Sequence, residues 1–236
     1  MHDHQVLDCL HDLELEQRQG MIREQLVARG IHEHRVLSAM EQVPRHLFVP
    51  EELRDQAYAP CPLPIGFGQA IAQPYMVALA LQALGLKGHE RVLEVGAGSG
   101  YQAALLGLLA REVYSLEIVP ELACRASEMV RSLGFDNVHV VQTDGTLGHA
   151  AAAPYDAIIV AASAPEVPSE LLAQLAPGGC LVVPVGDDSR QLLMRLRMHP
   201  GSVESETLAV CKFVPMTGAI EEATEVPWAE SSRAHS

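Results

Sequence analysis

The run Arg91-Val-Leu-Glu-Val-Gly-Ala-Gly-Ser-Gly-Tyr101 constrains the fold of this chain more than any other stretch. Val92, Leu93 and Val95 read as a short buried strand. Gly96, Gly98 and Gly100 then allow a tight turn with only backbone in the way, and Tyr101 to Ala110 reads as the helix that leaves it. Strand, glycine turn and helix together set backbone N–H groups and a helix N-terminus beside a bound ligand.

The glycine spacing narrows the ligand. A dinucleotide fingerprint would need a third glycine at the position of Tyr101, so that match fails. The glycines run G-x-G-x-G, and Glu94 lies two residues before the first. A carboxylate there repels a pyrophosphate and suits a ligand with a cationic amine and no phosphate. S-adenosyl-L-methionine is such a ligand, with an ammonium and a sulfonium. Glu117 ends the next expected strand, Glu112 to Glu117, about 20 residues on, where an acid can accept both ribose hydroxyls. Asp144-Gly145 follows the strand after that and can flank the adenine. The bland alternative is a glycine turn in an unrelated α/β protein with solvated acids at strand ends. Three acids at three successive strand ends favour the cofactor.

At 236 residues and 48% hydrophobic, the chain can bury a sizeable core in one α/β domain with additions. A net charge of −14 disfavours nucleic acid, whose binding rests on Lys and Arg. Cys9, Cys61, Cys124, Cys180 and Cys211 form no C-x-x-C pair, so neither a disulfide framework nor a zinc site is expected, and a reducing cytoplasm is. The N-terminus carries acids and histidines rather than the marks of a signal peptide, and no apolar run is long enough for a membrane span. His2, His4 and His11 lack neighbours that would complete a metal site, and no metal is expected.

Residues 1–12 and 219–236 read as flexible ends around one domain, 13–218, with a helical and loop part at 13–74 and a Rossmann-like core with closing strands at 75–218. A helix is expected from Leu13 to Arg29 with Gly30 as its cap, and a second from His34 to Val43, before Pro44. Tyr58 to Pro74 reads as a long loop that packs through Leu63, Ile65, Phe67 and Ile71. Pro74 opens a helix to Leu84. Beyond the glycine turn come a strand to Glu117, a helix from Pro120 closed by Gly134, and strands at Val138 to Gln142 and Asp156 to Val160. A short helix from Pro168 to Ala176, a turn at Pro177-Gly178-Gly179 and a strand from Cys180 to Val185 follow. Gln191 to Met198 and Thr207 to Val214 look like a closing antiparallel pair. The alternation predicts a doubly wound, mostly parallel α/β sheet of the class I methyltransferase type, with a helical N-terminal extension and the antiparallel pair at its end.

From about Met21 to Gly218 the chain resembles the protein-L-isoaspartate O-methyltransferase family. The resemblance rests on Arg-Gly-Ile at 29–31, Arg-Val-Leu at 35–37, Val-Pro-Arg-His at 43–46 with Phe-Val-Pro after it, and Pro-Leu-Pro-Ile-Gly at 62–66. Gln-Pro-Tyr at 73–75, the run 92–102, Asp-Gly at 144–145, Asp-Ala-Ile-Ile-Val at 156–160 and Phe-Val-Pro-Met-Thr-Gly at 213–218 complete it. It departs from the family in one region. Where family members read Gly-Gln-Thr-Ile-Ser-Gln-Pro, Ala70 and Ala72 replace both hydroxyls, the second being the family's active-site serine. Pro60 stands for the usual Asp, and His149 for a frequent Trp.

The resemblance implies methylation of the free α-carboxylate of L-isoaspartyl residues in damaged proteins and peptides, followed by spontaneous closure to a succinimide. That carboxylate is ionised at neutral pH, so no general base is needed. It implies that Glu94 and the backbone of Gly96, Ala97, Gly98 and Gly100 hold the methionyl part, Glu117 the ribose, and Asp144 with Gly145 the adenine. Gln69, Ala70, Ile71 and Thr217 join the cofactor site. Ala72, Gln73, Val214 and Pro215 face the substrate, with Val214 offering backbone hydrogen bonds to an extended peptide or being simply a buried strand residue. Ser99 reads as a turn residue and Ser163 as a loop residue near a strand end. A monomer acting on isoaspartyl peptides, with no nucleic acid or membrane partner, is the expectation. Two other readings stay open because of Ala70 and Ala72: a carboxyl methyltransferase for another peptide, and a cofactor-binding protein with weakened catalysis.

Overall fold

The computed structural model describes residues 13–219; the expected flexible ends, with His2, His4, His11 and Cys9, otherwise lie outside them. Residues 13–29 are continuously helical: α1 (13–21) widens into a π turn at Ile22–Leu26 and tightens into a 3-10 turn at Val27–Arg29. Gly30 ends it at φ 92°, a left-handed conformation that costs glycine little. Helix α2 (His34–Gln42) stops ahead of Pro44, and two short 3-10 turns follow at Arg45–Phe48 and Glu51–Gln56.

The expected loop before Pro74 contains a β-hairpin. Strands β1 (Leu63–Gly66) and β2 (Gln69–Ile71) pair antiparallel, Leu63 opposite Ile71. Leu63, Ile65 and Ile71 are buried as expected, but Phe67 is not: it sits at the tip, 49% exposed, with the Arg125 guanidinium 5.4 Å from its ring centre. With four and three residues, the strands are too short to show alternation between their prolines and glycines.

Helix α3 (Pro74–Leu84) leads to the main sheet, of order β5-β4-β3-β6-β7-β8-β9. Strands β3 (Arg91–Val95), β4 (Glu112–Glu117), β5 (Val138–Gln142), β6 (Tyr155–Val160) and β7 (Leu175–Gly186) are parallel; β8 (Gln191–His199) and β9 (Ser202–Cys211) continue antiparallel. Alternate residues face opposite layers. Val92, Val113, Ile159 and Val182 join a core with α2, α3 and α4 (Tyr101–Leu109). Leu93, Leu116, Ile158 and Leu181 pack on the other side, where α6 (Ser169–Leu172) contributes Leu171. Helix α5 (Pro120–Ser132) covers β4 and β5 on the first side, with Gly134 left-handed behind it.

Three boundaries differ from the sequence reading. The short helix expected from Pro168 to Ala176 ends at Leu172, because the chain has joined β7 by Leu175. The expected turn at 177–179 is a bulge inside β7: Tyr155 pairs with Leu175 and Ala157 with Cys180, so extra chain is taken up between them. Strand β9 begins at Ser202 and ends at Cys211, rather than running from Thr207 to Val214. Its first half, Ser202 to Glu206, is exposed on both faces and so has no apolar alternation. Beyond Cys211 the chain leaves the sheet because a side chain replaces the strand partner: Gln191 accepts the Phe213 amide at 2.6 Å and donates to the Phe213 carbonyl at 3.2 Å.

Candidate active site

Strand order reverses between β3 and β6, and a cleft opens at their carboxyl ends. It encloses about 850 Å³, part of it open to solvent. Gln69, Ala70, Ile71 and Ala72 of the hairpin form one wall; Gly96, Ala97 and Gly98 form the floor; Glu117 and Gly145 stand at one end. Val214, Pro215, Met216 and Thr217 cross the top. Of the residues expected in the site, Glu94, Gly100, Asp144 and Gln73 do not line this cleft.

The glycine turn offers space and acceptors rather than donors. The Gly96 and Ala97 amides both donate to the Leu116 carbonyl at 2.9 Å, and the Gly100 amide donates to Ala97 at 2.8 Å. The Gly98 amide donates to Glu117 Oε2 at 2.8 Å. Among the described residues no hydrogen bond uses the Gly96 or Gly98 carbonyl, so both remain to accept from a cation. Gly145 allows close packing instead: a Cβ there would lie 2.6 Å from Val95 Cγ1, so only glycine lets this turn approach the end of β3.

Glu117 is 6% exposed and is the last residue of β4. Its Oε1 accepts the Val119 amide at 2.9 Å, so both oxygens are held by backbone and still have lone pairs toward the cleft. Glu94 is placed differently. It is fully buried behind the turn, where the Gln102 amide donates to Oε1 at 3.0 Å and the Ser115 hydroxyl to Oε2. Burial pushes its carboxyl up to about 8.

Asp144 also works from outside the cleft. Its Oδ1 accepts the Thr146 amide at 2.9 Å and hydroxyl at 2.7 Å, capping the turn Gly145–Leu147, and Oδ2 accepts the Ala219 amide at 2.9 Å. Burial raises its pKa, but these bonds outweigh that and hold it below the ordinary value. Asp144 thus ties the segment over the cleft to the β5 end. Ser163 fixes the same segment in the middle: its amide donates to the Val214 carbonyl at 2.8 Å, and its carbonyl accepts the Met216 amide at 2.8 Å. Ser163 is therefore a buried anchor rather than a free loop hydroxyl. Among the described residues no hydrogen bond uses the Val214 N–H.

On the hairpin side, Ala72 presents no hydroxyl, and its carbonyl accepts Arg45 Nη2 at 2.8 Å. Gln73 caps α3, its carbonyl accepting the Met76 amide at 3.1 Å. Ser99 lines the cleft and accepts the Tyr101 amide at 3.4 Å, as a turn residue does. Sequence reasoning missed Gln191, Thr146 and Arg45 as parts of this framework. Only Arg45 carried a signal, its place in Val-Pro-Arg-His. Among the described residues no three His, Cys, Asp or Glu side chains form a metal site, and no helix is long and apolar enough to cross a membrane.

A parallel sheet that reverses at a glycine turn, with an acid ending the neighbouring strand, makes this chain a class I S-adenosyl-L-methionine-dependent methyltransferase. The cleft fits that cofactor: free carbonyls for an ammonium, Glu117 for hydroxyls and the apolar Ile118 and Met216 for a flat ring. A Plasmodium falciparum structure of this kind, containing S-adenosyl-L-homocysteine, matches with a TM-score of 0.74 at 28% identity, over 85% of this chain and 98% of that one. The family model described as Protein-L-isoaspartate(D-aspartate) O-methyltransferase matches residues 16–221, and the chain belongs to that family. It is 52% identical over 201 residues to protein-L-isoaspartate O-methyltransferase 1 of Syntrophobacter fumaroxidans, covering 85% of this chain and 94% of that protein. Enzyme 2 of that name from Marinobacter nauticus is 54% identical over 203 residues, with 85% and 93% covered.

Proposed function

We propose that this chain methylates the free α-carboxylate of L-isoaspartyl residues in damaged proteins and peptides, and so starts their repair through a succinimide. The observation that carries the reading is convergence: Glu117, the glycine turn, the Gln69–Ile71 strand with Ala72, and the Val214–Thr217 segment all line one cleft. When bound, S-adenosyl-L-methionine supplies a methyl group activated on a sulfonium. Glu117 accepts hydroxyl hydrogens of the ribose, the Gly96 and Gly98 carbonyls face the ammonium, and Gly145 leaves room for the adenine. The Ala72 region and the Val214 N–H orient the peptide so that a carboxylate oxygen approaches in line. The carboxylate is already ionised, so these residues orient it and exclude water; none removes a proton.

Labelled methyl transfer to an isoaspartyl peptide, beside its aspartyl twin, tests this. Transfer to the isoaspartyl form alone is expected; equal transfer or none overturns it. The missing hydroxyls at Ala70 and Ala72 favour, as a second reading, a different peptide carboxylate, which the same assay reads as no transfer to either form. The reading goes with a monomer in a reducing cytoplasm, where the free thiols of Cys61, Cys124, Cys180 and Cys211 persist.

A further inference from the structure

Behind Ala72 lies a buried cation that the cofactor does not explain. Arg45 is 0% exposed. Its Nε donates to the Ala57 carbonyl at 2.7 Å and its Nη2 to the Ala72 carbonyl at 2.8 Å, joining two segments that flank the hairpin. Its guanidinium lies 4.9 Å from the ring centre of Tyr101, a residue that lines the cleft. The titratable groups that bear on it are Tyr101, Tyr58 and Cys61, all neutral in their ordinary state at pH 7. The nearby acid Glu14 is 3.1 Å from His46, and a second buried cation, Arg18, donates to the Glu41 carbonyl. A buried guanidinium without an acid is expensive, and burial lowers its pKa, yet a guanidinium starts so basic that it keeps its proton at neutral pH.

We propose that Arg45 is a positioning residue for the methyl acceptor: it fixes the Ala72 carbonyl at the cleft wall and sets behind it an uncompensated positive charge that the substrate's carboxylate offsets. The proposal rests on the isoaspartyl reading and adds how that carboxylate is selected. Its two parts separate kinetically. The acceptor loses its charge as it takes the methyl group, so a fixed cation favours the bound ground state and shows in KM. Holding the Ala72 carbonyl orients the acceptor and shows in kcat.

The experiment compares Arg45→Met with Arg45→Lys, which keeps the charge on a single arm. Both are measured for S-adenosyl-L-homocysteine binding, for isoaspartyl-peptide kinetics and for hydrogen exchange at residues 69–73. Arg45→Met is expected to raise peptide KM on the order of tenfold, the scale of one charge-assisted contact. It should also lower kcat and speed exchange at 69–73, with cofactor affinity within about twofold. Arg45→Lys should restore KM far better than kcat. Unchanged peptide kinetics in Arg45→Met overturn the proposal. So does a KM that rises equally in both variants while cofactor binding is lost, since that is a general collapse of the site. If Arg45→Met does not fold, an unchanged kcat and exchange in Arg45→Lys overturn it. If the parent methylates no isoaspartyl peptide, the functional reading falls separately, and unchanged exchange at 69–73 in the variants overturns the role of Arg45.

Discussion

Glu117 Oε2 accepts the Gly98 amide at 2.8 Å, so the acid that ends β4 also shapes the turn that ends β3. One side chain therefore fixes the floor of the cleft and, in the reading we propose, meets the ribose hydroxyls. Backbone amides hold both its oxygens, so it needs little reorganisation to accept two more hydrogens.

Replacing Glu117 with Ala removes these bonds and the charge together. Losing a hydrogen bond to a charged group costs about 1.5–3 kcal/mol, or roughly tenfold to hundredfold in affinity. Calorimetry with S-adenosyl-L-methionine should show that loss. An unchanged affinity would take Glu117 out of the site.

Ala72 lies in the cleft wall without the hydroxyl that the family resemblance places there. The reaction needs no base, so the parent should be slow rather than inactive. Ala72→Ser, alone or with Ala70→Thr, should raise the single-turnover rate on an isoaspartyl peptide by roughly tenfold to hundredfold at saturating cofactor. A parent already as fast as both variants would show that backbone and Arg45 suffice.

The elements around the site were legible where punctuation residues fix the backbone. Gly30 ends a helix, Pro74 opens one, and Gly96, Gly98 and Gly100 all take positive φ. Strand ends were legible too, because β4 and β5 close on polar residues, Glu117 and Gln142, just before turn or helix signals. Direction was less so. Glu94 and Glu117 both read as acids at strand ends, yet Glu117 closes its strand while Glu94 precedes the last residue of β3 and points under α4, to Gln102 and Ser115. The clamp of Gln191 on Phe213 was invisible because it is a side chain acting as a strand across 22 residues. The Leu63–Ile71 hairpin was hidden for the opposite reason, since its strands are shorter than a readable alternation.

Asp144 joins the β5 end to the segment that covers the cleft. Asp144→Asn cannot accept from both Thr146 and the Ala219 amide, and should destabilise the fold by about 0.5–1 kcal/mol. It should also weaken cofactor binding. The folded carboxyl titrates below its ordinary value, so its contribution is fully present above about pH 4 and fades as pH falls through the lower folded value. Chemical denaturation of parent and variant should therefore converge in acid. A constant difference down to low pH would show that the charge plays no part.

Glu94 should make cofactor binding release a proton. Burial behind the turn lifts its carboxyl to about 8, so the free protein should hold it mostly protonated at pH 7. In the reading we propose, the cofactor's ammonium lies across the glycine turn from Glu94; a cation there favours the ionised form and lowers that pKa, expelling up to about one proton. Calorimetric titrations at pH 7 in buffers of different ionisation enthalpy would count it, and Glu94→Gln should release none from this source. The same shift sets a stability trend. Between about 4.3, the ordinary glutamate value, and about 8, the folded chain keeps a proton that the unfolded chain gives up. Stability then falls as pH rises through that window and levels off above it, and Glu94→Gln should flatten this part of the profile. A parent that exchanges no proton on binding, with the same stability profile as the variant, would mean that Glu94 is already ionised in the free protein.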